Sequence, residues 1–342
     1  MLLAHVNLAR GFRGGERQTA LLIEALAARG LRQRLVARAG DELLDRVGRH
    51  AGLERTGAAG IVAAARALRG ADLVHVHQGR SIQAAALAYL VSGKPYLVTR
   101  RVMSPIRRNR ISRWMYTRAA AVVALSSAVQ AELARYDPRL EAAVIPSAWT
   151  PAEPDPATVA ALRERAGGRL IIGNVAALDQ RSKGQLTLIE AATALPQHLF
   201  VLVGTGPDEA RLREAAAGLG NVVFTGQVCD VASHLAAFDV FAFPSYLEGL
   251  GSILLDAMRA GLPIVAHGVG GIPDLVRDGD NGYLIAPGDT AAFTTALADL
   301  ADDVSKRRGM AARNRELAAD YSPEVMANRY ERVYEKLLAP NA

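Results

Sequence analysis

The feature that most constrains the fold is an alternation of apolar, strand-like runs with helical patterns, which occurs on both sides of a proline-rich stretch. Four prolines lie between residues 146 and 156, and proline resists both helix interiors and central strands. Strand–helix alternation is typical of a parallel sheet covered by helices on both faces. The sequence therefore predicts an α/β protein with two facing Rossmann-like domains and a ligand cleft between them.

The predicted strands fall into two sets of five, one on each side of the prolines. They are expected at residues 2–8, 35–37, 71–77, 95–99 and 121–126, and again at 170–175, 199–203, 222–224, 239–243 and 263–266. The expected division is an N-terminal domain over 1–150 and a C-terminal domain over 151–322. A last helix within 323–342 is expected to pack back on the N-terminal domain.

Composition excludes several other classes of protein. Half of the 342 residues are hydrophobic and 22% are charged, which argues against a disordered chain. The single cysteine, Cys229, excludes an internal disulfide and a cysteine-rich zinc site. No apolar run reaches the roughly 18 to 20 residues that span a bilayer, and the N-terminus does not resemble a signal peptide. We therefore expect a cytoplasmic protein.

Two acidic residues follow the predicted strand at 239–243. Glu248 lies in a loop with Gly249 and Gly251, and Asp256 lies about one turn inside the following helix. Ligands of open α/β sheets bind outside the carboxyl ends of the strands, so both carboxylates are placed to accept hydrogen bonds from the hydroxyls of a sugar or ribose. The plainer alternative is an acidic residue that favours the helix dipole, together with a surface aspartate.

Basic residues follow the predicted strand at 170–175, at the same edge of the same sheet. Lys183, beside Gly184, is a suitable point charge for a phosphate, and Arg181 is a candidate fork-like partner. A solvated turn is the alternative reading of this segment.

Two further loops are candidates for contact with a nucleotide. Gly204 and Gly206 follow a strand, but Glu209 stands where a dinucleotide-binding loop has its third glycine, which argues against a nicotinamide or flavin cofactor. Gln227 follows the strand at 222–224 and is a candidate for contact with a base.

The second half of the chain, taken together, resembles the C-terminal domain of glycosyltransferase family 4, whose members have the GT-B architecture. The matching segments occur in the family's order at 182–184, 203–207, 224–226, 243–245, 248–256, 258–266, 270–274 and 278–282. The resemblance implies that Glu248 binds the donor hexose, with Gly249, Leu250 and Gly251 in the same loop. It also implies Asp256 on the ribose and Lys183 on the diphosphate.

Two positions depart from the family pattern. The family usually has glutamate where this chain has Asp256, whose side chain is one methylene shorter. An arginine expected near Leu178 is absent, since residue 177 is alanine, and Arg181 is a candidate replacement. Both departures concern how the donor sits rather than the class of enzyme.

The first half matches the family more loosely. Gly14 and Gly15 resemble the glycine pair that faces the donor phosphates, with a plain strand–helix turn as the alternative. His77 ends a predicted strand and is a candidate catalytic residue, although a lone histidine is often structural. Many relatives have a histidine after the strand at 95–99, whereas this chain has Arg100 and Arg101, which are candidates to hold an acceptor phosphate or the leaving diphosphate.

A basic segment with interleaved aromatic residues spans 100–118. It includes Arg107, Arg108 and Trp114, a combination that suits an anionic membrane surface or a phosphorylated glycolipid acceptor. The same composition would suit nucleic acid, and a solvated basic helix is the plain alternative.

The resulting hypothesis is a retaining glycosyltransferase that moves a hexose or N-acetylhexosamine from a nucleotide-diphosphate sugar to a glycan or glycolipid. Assembly of cell-envelope polysaccharide or lipopolysaccharide, at the inner face of the membrane, is the expected setting. No metal or other cofactor is expected, because a cationic diphosphate site replaces Mg²⁺, and no nucleic-acid partner is expected. The alternatives are a sugar-nucleotide epimerase of the same architecture, or a basic module that binds nucleic acid or membrane.

Overall fold

The chain folds into two compact α/β units, each built on its own parallel sheet. The computed structural model describes residues 1–339. Unit 1 comprises Met1–Ala148 and the chain from Tyr321 onward, and unit 2 comprises Trp149–Asp320. These boundaries lie two residues before the predicted ones at 150 and 322. Residues 340–342 of the predicted C-terminal helix lie outside the described residues.

Unit 1 contains a seven-stranded sheet in the order β3-β2-β1-β4-β5-β6-β7, with every pairing parallel. Its strands are β1 (Leu2–Asn7), β2 (Arg32–Arg38), β3 (Leu53–Ala58), β4 (Leu73–Val76), β5 (Tyr96–Arg100), β6 (Ala121–Ala124) and β7 (Ala142–Val144). Its helices are α1 (Gly14–Ala27), α2 (Glu42–Arg46), α3 (Ile61–Ala67), α4 (Ser81–Ser92), α5 (Arg110–Thr117), α6 (Ser127–Tyr136) and, from the end of the chain, α15 (Pro323–Leu338).

Unit 2 contains a six-stranded sheet in the order β10-β9-β8-β11-β12-β13, again all parallel. Its strands are β8 (Ile171–Val175), β9 (Leu199–Val203), β10 (Val222–Gly226), β11 (Val240–Phe243), β12 (Ile264–His267) and β13 (Gly282–Ile285). Its helices are α7 (Pro156–Ala166), α8 (Gln180–Lys183), α9 (Leu186–Ala194), α10 (Glu209–Ala215), α11 (Val231–Ala237), α12 (Ile253–Ala260), α13 (Thr290–Asp302) and α14 (Val304–Ala318), and 3₁₀ turns occur at Ile272–Asp274 and Ala319–Tyr321.

The strand order reverses once in each sheet, and these reversals place the candidate sites. In unit 1 the reversal lies between β1 and β4, and in unit 2 it lies between β8 and β11. At such a point the loops after the two central strands diverge to opposite faces and leave a crevice at the carboxyl edge. The predicted α/β architecture with two Rossmann-like units is therefore confirmed.

Helix α15 belongs to the core of unit 1. Its Met326, Tyr330 and Tyr334 are buried in one apolar cluster with residues of the central strands such as Leu3 and Leu97. Arg29 at the end of α1 pairs with Glu331, and its guanidinium also donates to the carbonyl of Glu324 at 2.9 Å. The last helix thus completes one face of the first sheet.

No helix within residues 1–339 combines the length and apolarity that crossing a bilayer requires.

Candidate active site

In unit 2, a lysine and a glutamate meet at the reversal of the strand order. Lys183 ends α8, which follows β8, and Glu248 lies in the loop that follows β11. The ammonium of Lys183 donates to Oε1 of Glu248, and the two side chains are 22% and 11% exposed. Because β8 and β11 are adjacent, the fold brings together two residues that the sequence placed at separate strand ends.

Backbone contacts hold these two loops against each other. The amide of Tyr246 donates to the carbonyl of Ser182 at 2.9 Å. Gly184, with φ of +66°, lies so close to the second loop that a Cβ built on it would be 2.2 Å from the carbonyl oxygen of Pro244. The positions of Lys183 and Glu248 are therefore set by main-chain packing as well as by their own ion pair.

The loop after β12 approaches Glu248 from the other side. Gly270 has a φ of +54°, and a Cβ built on it would lie 1.9 Å from the carbonyl oxygen of Glu248. Only glycine fits such a close approach of two backbones. The Gly270 segment therefore fixes the backbone from which the Glu248 side chain projects.

Asp256 has a partner that the sequence did not reveal. Its Oδ1 accepts a hydrogen bond of 2.6 Å from the amide of Thr150, and Arg259 of the same helix donates to the Thr150 carbonyl at 3.0 Å. Asp256 therefore tethers the start of unit 2 to α12. Its predicted contact with a ribose stays a prediction.

The other predicted donor-binding residues lie around this pair with different exposures. Arg181 is exposed on α8, and residues two apart on a helix do not share a face, so the fold does not bring Arg181 beside Lys183. The side chain of Leu250 is buried, so this residue can offer a ligand only its backbone. Gly249 is partly exposed, and Gly251 is buried.

Gly204 and Gln227 follow β9 and β10, one and two strands away from β8. Gly204 is partly buried, and Gln227 is exposed. Their donor contacts stay predictions.

In unit 1, the reversal between β1 and β4 carries a buried polar cluster. His5 lies on β1, and His77 directly follows β4. Nδ1 of His5 lies 2.9 Å from Nε2 of His77, and Nε2 of His5 lies 2.9 Å from Oε1 of Gln33 on β2. His77 was predicted as a site residue, whereas the sequence analysis missed His5 and Gln33.

A third histidine, His75, completes the cluster. Its Nδ1 lies 2.8 Å from the hydroxyl of Tyr334, and its Nε2 lies 2.8 Å from the hydroxyl of Thr99. Burial lowers the pKa of His5 to about 4 and lowers the pKa values of His75 and His77 well below the ordinary histidine value. All three imidazoles are therefore neutral at pH 7.

The cluster has the composition of a metal site, since one ring nitrogen from each of the three histidines can be chosen so that all lie within 4.8 Å of one another. However, both ring nitrogens of His5 and of His75 already have hydrogen-bonding partners in the protein. The residues therefore fit a hydrogen-bonded network better than a metal centre.

Arg101 extends the cluster towards the start of α1. A Cβ built on Gly15 would lie 3.9 Å from Cδ of Arg101, so the glycine pair Gly14-Gly15 lies beside this arginine. That distance is an ordinary contact, and packing alone does not require glycine at residue 15. Nε and Nη2 of Arg101 are buried and have no hydrogen-bonding partner within residues 1–339.

Arg100 differs from its neighbour. It is 9% exposed, and its guanidinium donates to the hydroxyl of Tyr116 at 3.1 Å and to the carbonyl of Ser104. Side chains alternate between the two faces of a strand, which turns Arg100 away from the histidine face. This burial removes Arg100 from the predicted membrane-facing residues, and its acceptor role stays a prediction.

Helix α5 carries the rest of the predicted basic surface. Met115 and Tyr116 anchor it in the core of unit 1. Ile111 and Trp114 are 70% and 38% exposed, and Arg107 and Arg108 are exposed just before the helix. The helix therefore presents exposed apolar side chains next to positive charge.

Comparison with known proteins identifies the family. Residues 12–149 match the family model described as Glycosyltransferase Family 4, and residues 169–303 match the model described as Glycosyl transferases group 1. The 2-deoxystreptamine glucosyltransferase of Streptomyces kanamyceticus is 31% identical over 307 residues, which cover 78% of this chain and 79% of that relative.

Two further similarities cover different shares of the chain. The lipopolysaccharide core biosynthesis glycosyltransferase LpsE of Rhizobium meliloti is 36% identical over 152 residues, which cover 43% of this chain and 45% of LpsE. The crystal structure of Anabaena HepE in complex with UDP-glucose superposes with a TM-score of 0.85 at 20% identity, over 98% of this chain and all of that one. The chain therefore belongs to glycosyltransferase family 4, has the GT-B fold and is a glycosyltransferase.

Proposed function

We propose that this chain transfers a hexose or an N-acetylhexosamine from a nucleotide-diphosphate sugar to a glycan or glycolipid, with retention of the anomeric configuration. The observation that carries the proposal is the pairing of Lys183 with Glu248 at the strand-order reversal of unit 2. A cation and a carboxylate side by side match the two parts of such a donor, the diphosphate and the sugar hydroxyls.

In the proposed reaction, Lys183 binds the diphosphate and stabilises the negative charge that develops as it leaves. When the donor binds, and before the diphosphate leaves, Glu248 exchanges its contact with Lys183 for hydrogen bonds from donor hydroxyls. The bond between the anomeric carbon and the phosphate oxygen breaks while the acceptor oxygen bonds to the same face. The acceptor's hydroxyl proton passes to the departing diphosphate, so charge and atoms balance.

We assign the acceptor side to unit 1. The support is its own strand-order reversal, where His77 and Arg101 carry polar atoms without partners within residues 1–339. The exposed Ile111 and Trp114 with Arg107 and Arg108 support an acceptor at an anionic membrane surface. The relative LpsE, named for lipopolysaccharide core biosynthesis, favours a cell-envelope acceptor.

We also propose that transfer needs no metal ion, because Lys183 itself supplies positive charge where the diphosphate binds. Transfer should then persist in EDTA. Complete loss in EDTA with recovery in Mg²⁺ would show that a metal carries this role.

The proposal is tested first by binding. UDP-, GDP- and ADP-sugars are compared for their effect on thermal unfolding, because a ligand at 100 times its Kd stabilises the folded state by about 2.7 kcal/mol. The relative that acts on a glucosyl group and the HepE complex with UDP-glucose make UDP-glucose the first donor to try.

The donor that binds is then incubated with candidate acceptors, and the anomeric configuration of the product is read by NMR. An α-linked product from an α-linked donor is expected, and an inverted product would contradict retention. Isomerisation of the donor without any acceptor would favour an epimerase instead.

A further inference from the structure

A chain of three buried side chains fixes the protonation pattern of His77. Gln33, His5 and His77 lie on or directly after three neighbouring strands, β2, β1 and β4. All three are at most 2% exposed. Their contacts are Oε1 of Gln33 with Nε2 of His5, and Nδ1 of His5 with Nε2 of His77, each at 2.9 Å.

The orientation of the Gln33 amide is the starting point. Its Nε2 lies 3.0 Å from the carbonyl oxygen of Ile23, which can only accept, so this atom must be the amide nitrogen. Oε1 of Gln33 therefore faces His5 as an acceptor. It follows that Nε2 of His5 carries the proton and that Nδ1 of His5 has a lone pair.

The tautomer of His5 in turn determines the tautomer of His77. Since Nδ1 of His5 can only accept, Nε2 of His77 must carry a proton and donate it. Burial lowers the pKa values of both imidazoles, so each ring holds only one proton at pH 7. Nδ1 of His77 is therefore an unprotonated lone pair, and it has no partner within residues 1–339.

Arg101 has hydrogen-bond donors without acceptors, whereas His77 has an acceptor without a donor. Its buried Nε and Nη2 hold protons that no acceptor in the described part of the chain receives. β4 and β5 are adjacent, and Thr99 of β5 bonds His75, so Arg101, two residues further along the chain, is placed on the same face of the sheet as His75 and His77. A fully ionised anion would satisfy Arg101 but would repel the lone pair of His77. A hydroxyl group satisfies both, because it donates one hydrogen bond and accepts others.

We infer that Nδ1 of His77 and the guanidinium of Arg101 bind one sugar hydroxyl of a substrate, and that Gln33 and His5 are positioning residues that hold His77 in the accepting tautomer. This inference rests on the proposed function, because it assigns the hydroxyl to a substrate of glycosyl transfer. The hydroxyl belongs either to the acceptor or to the donor sugar, and kinetics separates the two. In a triad enzyme a buried partner likewise fixes the tautomer of a histidine.

The test uses the full chain with a Gln33→Met variant, which keeps side-chain volume but removes the acceptor for His5. Nothing then favours a proton on Nε2 of His5, so both tautomers of His77 become populated. Gln18→Met is the matched control, because Gln18 is also a buried glutamine of unit 1, and its side chain bonds the backbone of Ala148 rather than a histidine. Thermal unfolding verifies that each variant is folded.

The first readout needs no substrate. Two-dimensional ¹⁵N NMR of histidine side chains, assigned with a His77→Phe variant, reports which ring nitrogen carries the proton. Wild type is expected to show Nδ1 of His77 unprotonated, and Gln33→Met an average of both forms. A proton on Nδ1 of His77 in the wild type would overturn the inference.

The second readout is steady-state transfer with the donor and acceptor that the wild type uses. Gln33→Met is expected to lower kcat/KM about twofold for the substrate that supplies the hydroxyl, because about half of the enzyme then has His77 in the accepting tautomer. KM should rise either for the acceptor or for the donor, and the substrate whose KM rises is the one that supplies the hydroxyl. Gln18→Met should match the wild type.

The outcomes are distinct. If Gln33→Met changes the tautomer but neither substrate's kcat/KM, His77 binds only water and the inference is wrong. If the wild type transfers no sugar from any donor, the proposed function itself fails, and the assignment of the hydroxyl to a substrate falls with it.

Discussion

The ammonium of Lys183 donates to Oε1 of Glu248 across 65 positions of sequence, and this contact joins the loops after the two central strands of the second sheet. Each residue lies at a strand's carboxyl end, which is where open α/β sheets bind ligands. Each of the two charges neutralises the other until a ligand separates the pair. A donor with a negative diphosphate and a neutral hydroxylated sugar offers each partner a replacement.

The glycine that backs Glu248 is predicted to be essential for its position. Gly270→Ala would place a Cβ 1.9 Å from the carbonyl of Glu248, so the loop must move. We expect loss of donor-induced thermal stabilisation together with a lower melting temperature. The control is Gly279→Ala, where φ is +76° and a Cβ would meet nothing within 4 Å, so only backbone strain of about 1 kcal/mol is added. Equal effects of the two substitutions would contradict the steric account.

The histidine cluster predicts acid sensitivity. Burial lowers the pKa values of His5, His75 and His77 below the unfolded value of about 6.5, so the unfolded chain binds more protons in this range. Stability should therefore be lost as pH falls from about 6.5 towards 4. Melting temperatures measured from pH 7.5 to 5 check this, and NMR should show the three imidazoles remaining neutral until the protein unfolds. A melting temperature that does not change over this range would count against burial of neutral histidines.

Helix α15 is predicted to be indispensable to unit 1. Tyr334→Phe removes only the hydrogen bond to His75 and should cost about 1 kcal/mol. Tyr334→Ala also empties a fully buried site and should cost about 3 to 5 kcal/mol. Denaturant unfolding followed by circular dichroism measures both. Similar, small effects would show that the helix contributes little to this core.

The exposed face of α5 is predicted to bind anionic vesicles. Ile111→Glu should weaken co-sedimentation with phosphatidylglycerol vesicles, because it replaces an exposed apolar contact with a charge that the lipid repels. Val304→Glu, at an exposed valine of unit 2, is the matched control. If the wild type does not bind these vesicles even at low salt, the anionic membrane surface is no longer part of the proposed function.

The sequence predicted the central strands well and missed edge strands, for a physical reason. β3, β7 and β13 were not foreseen, and all three lie at sheet edges. β3 reads LERTGA and is exposed or half-buried at every residue but its last, so it lacks the apolar run that marks a buried strand. Pairing with β2 makes it a strand, and no local pattern reports that pairing.

The site shows the same division between local and tertiary signals. Lys183 and Glu248 were found because both follow strongly apolar strands. Gln33 and His5 were missed because each is a single polar residue inside a strand, and only the adjacency of β2, β1 and β4 gives them meaning. Histidines at alternate positions 75 and 77, facing the same side, were a usable signal once β1 was placed beside β4.

The most direct measurement is glycosyl transfer by Lys183→Ala, with the donor found by thermal shift. Lys306→Ala is the control, because Lys306 on α14 also pairs with a carboxylate of unit 2, that of Asp299 on α13, but does not lie in the site. We predict a loss in kcat of about 100-fold or more for Lys183→Ala, as expected when a charge that stabilises the leaving group is removed, and wild-type turnover for Lys306→Ala. Undiminished transfer by a folded Lys183→Ala enzyme would contradict the account.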